Sequence, residues 1–415
     1  MDRATFITRL KSALSSSQAI TKPELLKGRT KDFRLAQEAL EMPGRQIFIC
    51  GLRGVGKSSL ALTTAMDQAG VSDRRMVPTI QCWRGATFGE VVRDLCNSFL
   101  SASPLAKDET TQVRGGVDFK IVSGGIQSDM KSDSRFRIPA SVNEAAECIR
   151  WVSEQTGKRI AIVDEFDLLA NSDCHEQMAQ LVKMFADGDY GVKLMFCGVG
   201  DSATELMRGH SSAFRYFHTI NLDRLPIGPS LEIVDGAAKA LKIEIDRDST
   251  VRIAQISDGF PYFAHLVTEK LLWSWFNDSD RDSRHTDARH FDEAVQQASE
   301  ETEPELKDPY DLVVKRFKTN GEHVIWAMAD GPNLDKNIDG AYRDYVAIMD
   351  RRHEPTLSRK HFNNRLIELR RDQFGHILSS RRLGWYEFTE KRMRGYARLR
   401  AVRQGEYLRS EHPKG

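Results

Sequence analysis

The chain has 415 residues, 29% of them charged and 40% hydrophobic, with a net charge of +1. That length exceeds what one core usually covers, so two or three domains are expected, and the balance excludes a disordered or fibrous chain. No apolar run approaches the ~20 residues of a membrane span, and Met1 to Leu14 lacks the unbroken apolar core of a signal peptide, so a cytoplasmic protein with no membrane partner is expected.

The near-neutral total conceals an asymmetry. Arg351 to Gly415 hold 17 Lys/Arg against 7 Asp/Glu, whereas the preceding residues hold 43 against 52. A basic tail on an acidic body points to a polyanionic partner for the tail. The cysteines, Cys50, Cys82, Cys96, Cys148, Cys174 and Cys197, form no C-x-x-C pair, which argues against structural zinc or a disulfide framework.

Residues 1–44 read as a helical segment, with Phe6, Leu10 and Leu14 and then Leu35, Ala36, Ala39 and Leu40 at helical spacing, before a turn at Pro43-Gly44. Residues 45–226 alternate β-rich runs (QIFIC, MVPTIQCW, RIAIVDEF, VKLMFCGVG, FHTINL) with amphipathic stretches around Ser58 to Gln68, Phe88 to Leu100, Val142 to Gln155, Glu176 to Ala186 and Ala203 to Arg208. That alternation predicts an α/β fold, a parallel sheet with helices on both faces. GGVDFKIVSGG, Gly115 to Gly125, breaks the pattern and reads as a hairpin or an edge strand. Residues 227–305 read as an all-helical lid of four helices, at Leu231 to Leu241, Thr250 to Ile256, Tyr262 to Trp275 and Phe291 to Ala298, with Glu301 to Asp308 as the linker out.

Residues 306–415 form a third unit. Tyr342 to Met349 and Leu357 to Arg371 read as helices, His376 to Leu378 as a short strand, and Leu383 to Thr389 as a hairpin alternating around Trp385, Tyr386 and Phe388. Helix, helix, hairpin is the order of a winged helix, whose second helix enters a DNA groove while the wing touches phosphate. Arg359, Lys360, Asn363, Asn364, Arg370 and Arg371 decorate the proposed recognition helix, Arg381 and Arg382 the wing, and Lys391, Arg392, Arg394, Arg398 and Arg400 a last helix. Duplex DNA is one reading of such a face. A surface for an acidic protein partner is the other.

GLRGVGKSS, Gly51 to Ser59, fits the phosphate-loop pattern at Gly51, Gly56, Lys57 and Ser58, with a β-run before it and a helix former after it. Glycines, Gly54 among them, let backbone N–H groups turn inward to phosphate oxygens; Lys57 would neutralise phosphate charge, Ser58 would hold Mg²⁺, and the helix from Ser59 would present its positive end. The bland alternative is a glycine-rich strand-to-helix turn. IAIVDEF, Ile160 to Phe166, ends an apolar strand in Asp164-Glu165; such a strand is expected beside the phosphate-loop strand, with Asp164 supporting Mg²⁺ through water and Glu165 polarising the attacking water. Alone, that pair would equally suit a strand running into an acidic helix cap. Together the two elements imply an ATP and Mg²⁺ site with the parts for slow, regulatory hydrolysis. Arg215 is the candidate arginine for the γ-phosphate of a neighbouring subunit in a homo-oligomer, or else makes a surface salt bridge.

Taken in order, LLKGRTKDFRLAQEAL, the phosphate loop, IVDEFD, CGVGDSATEL, HSSAFR, INLDRL and SDGFPYFAHL resemble the AAA+ and STAND-related ATPases, especially those around the origin-recognition initiators. The resemblance implies that Gly28-Arg29 lies near the adenine, that Asp201 or Ser202 falls near the polar sensor position, and that Gly259-Phe260-Pro261 is a lid turn contacting nucleotide. In many members an arginine follows that proline. Here Tyr262 stands instead, which favours a STAND-like switch holding nucleotide through the Gly-x-Pro turn itself.

Two functions remain open at this stage. One is an ATP-driven switch that couples nucleotide state to DNA binding through the basic domain. The other is a defence or signalling scaffold that oligomerises and recruits a protein effector in trans; a metabolic kinase leaves the lid and the basic tail without a purpose.

Overall fold

The computed structural model describes residues 1–103, 119–121, 126–128, 138–169, 172–188, 190–200, 215–279, 284–318 and 320–409. The chain divides into two compact units, one of Ala19–Leu52 and Gly56–Leu222, the other of Met1–Gln18, Arg53–Val55 and Asp223–Gly415. Residues 1–44 are thereby shared between the two.

The first unit is a five-stranded parallel sheet. Its strands are β1 (Gln46–Gly51), β2 (Thr79–Gln81), β5 (Ile160–Asp164), β6 (Lys193–Gly198) and β7 (Phe217–Leu222), in the order β2-β5-β6-β1-β7. β1, β5 and β6 are buried at almost every position, as strands covered on both faces must be, and this is why they read as unbroken apolar runs. β2 is shorter than MVPTIQCW suggested, because Pro78 before it has no N–H to donate to a ladder. Phe48, Phe166, Phe196 and Phe217 form an edge-to-face and stacked cluster at the centre of one core. The helices are α2 (Thr30–Glu41), α3 (Lys57–Gln68), α4 (Phe88–Ser101), α5 (Val142–Thr156) and α6 (Ser172–Asp187). α4 starts on a reciprocal Thr87–Glu90 capping box, and α5 runs from a Ser141 cap to a left-handed Gly157.

One expectation fails here. The strand ending at Asp164 does not lie beside the phosphate-loop strand, because β6 pairs in parallel with both and stands between them. Periodicity reports that a strand is buried and is blind to its neighbours. Of Gly115 to Gly125 only residues 119–121 are described; they form β3 (Phe119–Ile121), which pairs antiparallel with β4 (Ile126–Ser128) in a separate two-stranded sheet. The stretch Ala203 to Arg208 lies outside the described residues.

The second unit begins with α1 (Arg3–Ala13), whose Phe6 and Leu10 pack with Ile233, Ala237, Leu241, Leu272 and Trp275. The four expected helices are α7 (Ile227–Leu241), α8 (Arg247–Ser257), α9 (Pro261–Asn277) and α10 (Ala288–Glu301). The expected linker Glu301 to Asp308 is largely helix instead, since α11 runs Pro304–Phe317. Pro304 suits the first helical position, while Pro309 forfeits only one bond, to the Glu305 carbonyl, and buried Leu306, Tyr310 and Val313 hold the helix down.

After α11 come α12 (Gly321–Ala329), β8 (Asp335–Asn337), α13 (Ile338–Arg351), α14 (Arg359–Glu368), β9 (Leu378–Ser379), β10 (Trp385–Phe388) and α15 (Met393–Arg403). The three strands pair antiparallel in the order β8-β10-β9. β8 had no apolar signature: its inward residue is Lys336, whose ammonium reaches the Ala327 carbonyl at 2.7 Å and Asp344 at 2.5 Å.

Candidate nucleotide site

β1 delivers the chain into the phosphate loop, where Gly54 and Gly56 take φ of +81° and +99°. Gly56 is the N-cap of α3 and makes no side-chain cap, so the positive end of that helix opens directly onto the loop. The Lys57 ammonium donates to the carbonyls of Gly51 at 3.1 Å and Leu52 at 2.9 Å, folded back along its own loop. The Ser59 hydroxyl has a second task, accepting the Ile20 amide at 3.1 Å, while Thr63 donates to the Ile20 carbonyl at 2.8 Å. The segment leading to Gly28-Arg29 is thereby fastened along α3. Arg29 is nearly buried at the start of α2, 3.6 Å from Asp32.

Asp164 ends β5 almost buried, and its Oδ1 accepts the Glu165 amide at 2.8 Å. Glu165 sits in the left-handed region at φ +53°, a conformation uncommon for a residue with a side chain. Cys197, on the intervening strand β6, relates the two motifs. Burial pushes its thiol well up, the Asp164 carboxylate adds to that, and the Lys57 ammonium opposes it. The loop lysine and the strand-end aspartate therefore lie within electrostatic reach of one thiol in the sheet. Asp167 accepts the Val199 amide at 3.2 Å and ties the turn after β5 to the end of β6. Neither Asp167 nor Ile20 was singled out by sequence reasoning, since each acts through a distant backbone amide.

A lysine, a hydroxyl, a helix start without a side-chain cap and a buried aspartate followed by a glutamate make a donor and acceptor set suited to a polyphosphate with a divalent cation. No group of three or more His, Cys, Asp or Glu among the described residues could hold a metal ion unaided. A Mg²⁺ here would need phosphate and water as further ligands, which is the usual habit of that ion.

The remaining candidates stand as follows. Arg215 is exposed, 6.0 Å from the centre of the Tyr216 ring. Asp201 and Ser202 lie outside the described residues. Pro261, in the second unit, opens α9 directly after the N-cap Phe260, and the Tyr262 phenol is pushed up to about 12 by burial and the Glu303 carboxylate.

In the basic domain, Lys360, Arg370 and Arg371 are exposed and Asn363 is half-buried. Arg381 and Arg382 keep 76% and 60% of their side chains open, the first 3.0 Å from Glu387, the second laid over Trp385 at 3.5 Å. Arg359 is held inward by Asp339 and by the Ile338 carbonyl at 2.9 Å. The last helix corrects the sequence reading of a basic exposed face: Arg394 is fully buried, Arg398 is 2% exposed, and Arg392 is bound by Glu303 and Glu390. Their charge is spent inside the protein.

Among the described residues no helix is long and apolar enough to cross a membrane. Residues 41–207 match the family model described as an AAA domain. No curated protein matches the sequence. The fold is similar to a Walker-type ATPase of Pyrococcus abyssi at 15% identity and a TM-score of 0.52, covering 92% of this chain and 98% of that one. It is also similar to the ORC2 protein of Aeropyrum pernix at 12% identity and a TM-score of 0.47, with 98% and 99% covered. The Aeropyrum pernix ORC1 protein in complex with DNA is matched at 14% identity and a TM-score of 0.43, with 91% and 93% covered. Of these three only the first exceeds a TM-score of 0.5, and at its identity it establishes the fold alone. The family match starts just before β1 and ends beyond β6, spanning the phosphate loop and the Asp164 strand together, and residues 41–207 are accordingly an AAA domain, the ATPase part of the chain.

Proposed function

We propose that this ATPase is an ATP- and Mg²⁺-dependent switch of the AAA+/STAND type that couples its nucleotide state to binding of duplex DNA. The observation that carries the reading is the C-terminal order helix, strand, helix, helix, strand, strand, with the antiparallel sheet β8-β10-β9, which is the order of a winged helix. The third of these helices, α14, bears Lys360 and Asn363, Arg370 follows it, and Arg381 and Arg382 sit at the hairpin tip, with Arg359 steadying the helix start.

ATP with Mg²⁺ supplies the transferable phosphoryl group and neutralises its charge. The chain's own residues do the rest. Gly51, Gly54 and Gly56 shape the loop, the amides of Lys57, Ser58 and Ser59 bind oxygens, and the Lys57 ammonium leaves the loop carbonyls for phosphate. Ser58 and Asp164 position the cation, Glu165 orients and polarises water, Arg29 and Pro261 bound the base, and Arg215 acts across a homo-oligomer interface.

Fluorescence anisotropy on a labelled duplex, with ADP and with a non-hydrolysable ATP analogue, tests the coupling. Binding at low salt that differs between the two nucleotides is expected in the parent chain, and Lys57→Ala should lose that difference. Glu165→Gln should retain nucleotide and stop turnover. Absence of DNA binding at low salt under both nucleotides overturns the reading; nucleotide-driven assembly without DNA, seen by light scattering, would favour a scaffold for a protein effector.

A further inference from the structure

Asp258, in the second unit, is a carboxylate almost without solvent contact, at the left-handed end of α8 and directly before the Gly259-Phe260-Pro261 turn. Three arginines from two distant parts of the chain converge on it. Arg224, in the connection from β7 to α7, donates to Asp258 Oδ2 at 2.7 Å and to its carbonyl at 3.1 Å. Arg394, on α15, donates to Oδ2 at 2.7 Å, and Arg398, one turn on, lies 3.5 Å from Oδ1.

The same guanidinium groups hold the connection between α12 and β8. Arg224 donates to the Pro332 carbonyl at 2.8 Å, Arg394 to Gly331 at 2.7 Å and Asn333 at 2.6 Å, and Arg398 to Gly331 at 3.0 Å and Arg409 at 2.8 Å. One carboxylate thus gathers the exit from the sheet, the lid turn, the last helix and the edge of the three-stranded module. Burial pushes the Asp258 carboxyl up, but Arg394, Arg398 and Arg224 outweigh it and hold it at about 2. Packing at the same place is equally close: a Cβ on Gly395 of α15 would lie 2.5 Å from the Phe263 ring of α9.

Stability alone does not account for such a cluster. Buried ion pairs lose much of their attraction to desolvation, and apolar replacements of equal volume are often as stable. What directed guanidinium forks add over apolar packing is a single permitted orientation of the elements they join.

We propose that Asp258 is a latch that locks the lid helices α7–α10 and the C-terminal module α12–α15 into one rigid body, so that any movement of the lid carries the basic module with it. The latch operates whether the module's partner is DNA or protein.

Electron paramagnetic distance measurement tests it in the full chain, with spin labels at exposed Lys239 on α7 and Arg371 after α14, and with half-buried Cys148 replaced by serine. One narrow distance is expected, the same without nucleotide, with ADP and with an ATP analogue. Asp258→Asn should broaden or split it while far-ultraviolet circular dichroism is kept. Arg398→Gln, which removes one arm and two carbonyl contacts, should broaden it less, and decides alone if Asp258→Asn fails to fold. A distance that shifts with nucleotide in the parent chain, or folded variants that keep the parent distribution, overturns the latch.

Discussion

His265 shows how packing changes what a side chain can do. The Ser15 amide donates to its Nδ1 at 3.3 Å, so the ring proton sits on Nε2, which is buried without a hydrogen-bond partner among the described residues. A second proton on Nδ1 would break the Ser15 bond and bury a charge, and burial lowers the ring's pKa from 6.5 to about 4. Above pH 6.5 both folded and unfolded forms are neutral and the ring contributes no pH dependence. As pH falls from 6.5 towards 4, the unfolded chain takes up a proton that the fold refuses, so stability drops by about 3 kcal/mol in all, with no further loss below 4. Asp258, held near 2 rather than 3.8, acts only at lower pH, and Lys336, lowered to about 8 by burial, acts only at higher pH. His323, also lowered by burial, shares the window, so removing His265 leaves a remainder. Urea unfolding at pH 7 and pH 4.5 should show His265→Gln losing less stability between the two than the parent does; equal losses would mean that His265 titrates as an ordinary histidine.

Elements whose cause is local were the ones sequence reading recovered. The phosphate loop, the five strands of the sheet and the four lid helices follow from glycine placement, unbroken apolar runs and helical spacing, all of which act within a few residues. β8 was invisible because its inward residue is a lysine satisfied by Ala327 and Asp344, partners that no window of sequence contains. The order of strands, with β6 between the two motif strands, and the docking of α1 on α7 and α9 are likewise non-local. At the site the same division holds: Lys57, Ser58, Asp164 and Glu165 were legible as motifs, and the Ile20 and Asp167 contacts were not. α15 sharpens the point. Intrinsic propensity says that Gly395→Ala should stabilise a helix by roughly 1 kcal/mol. The added Cβ, however, would meet the wholly buried Phe263 ring at 2.5 Å and the Ile256 carbonyl at 3.3 Å, and overpacking of that kind costs about 1–3 kcal/mol. Thermal unfolding of Gly395→Ala should therefore show a lower midpoint, and a raised one would mean that α15 has room to shift.

Across the whole molecule, the charge asymmetry that suggested a polyanionic partner survives in reduced form. Counting residues after Arg351 credits the surface with Arg392, Arg394 and Arg398, yet all three are buried against carboxylates and carbonyls and can release no counterion from DNA. Arg400 is likewise taken, 2.6 Å from Asp311. On α14, just after it and at the hairpin tip, the exposed cations are Lys360, Arg370, Arg371, Arg381 and Arg382, the last two only lightly engaged by Glu387 and Asp335. Each phosphate neutralised contributes roughly −0.9 to the slope of log K against log salt, so these residues predict a slope of about −4 to −5, where adding Arg392, Arg394, Arg398 and Arg400 would predict about −8. Under the DNA reading, anisotropy titrations across a range of salt should give the shallower slope, and a chain carrying Arg381→Ala and Arg382→Ala should flatten it by about 2. A slope near −8, or one unmoved by those two changes, would mean that the duplex meets another face of the protein.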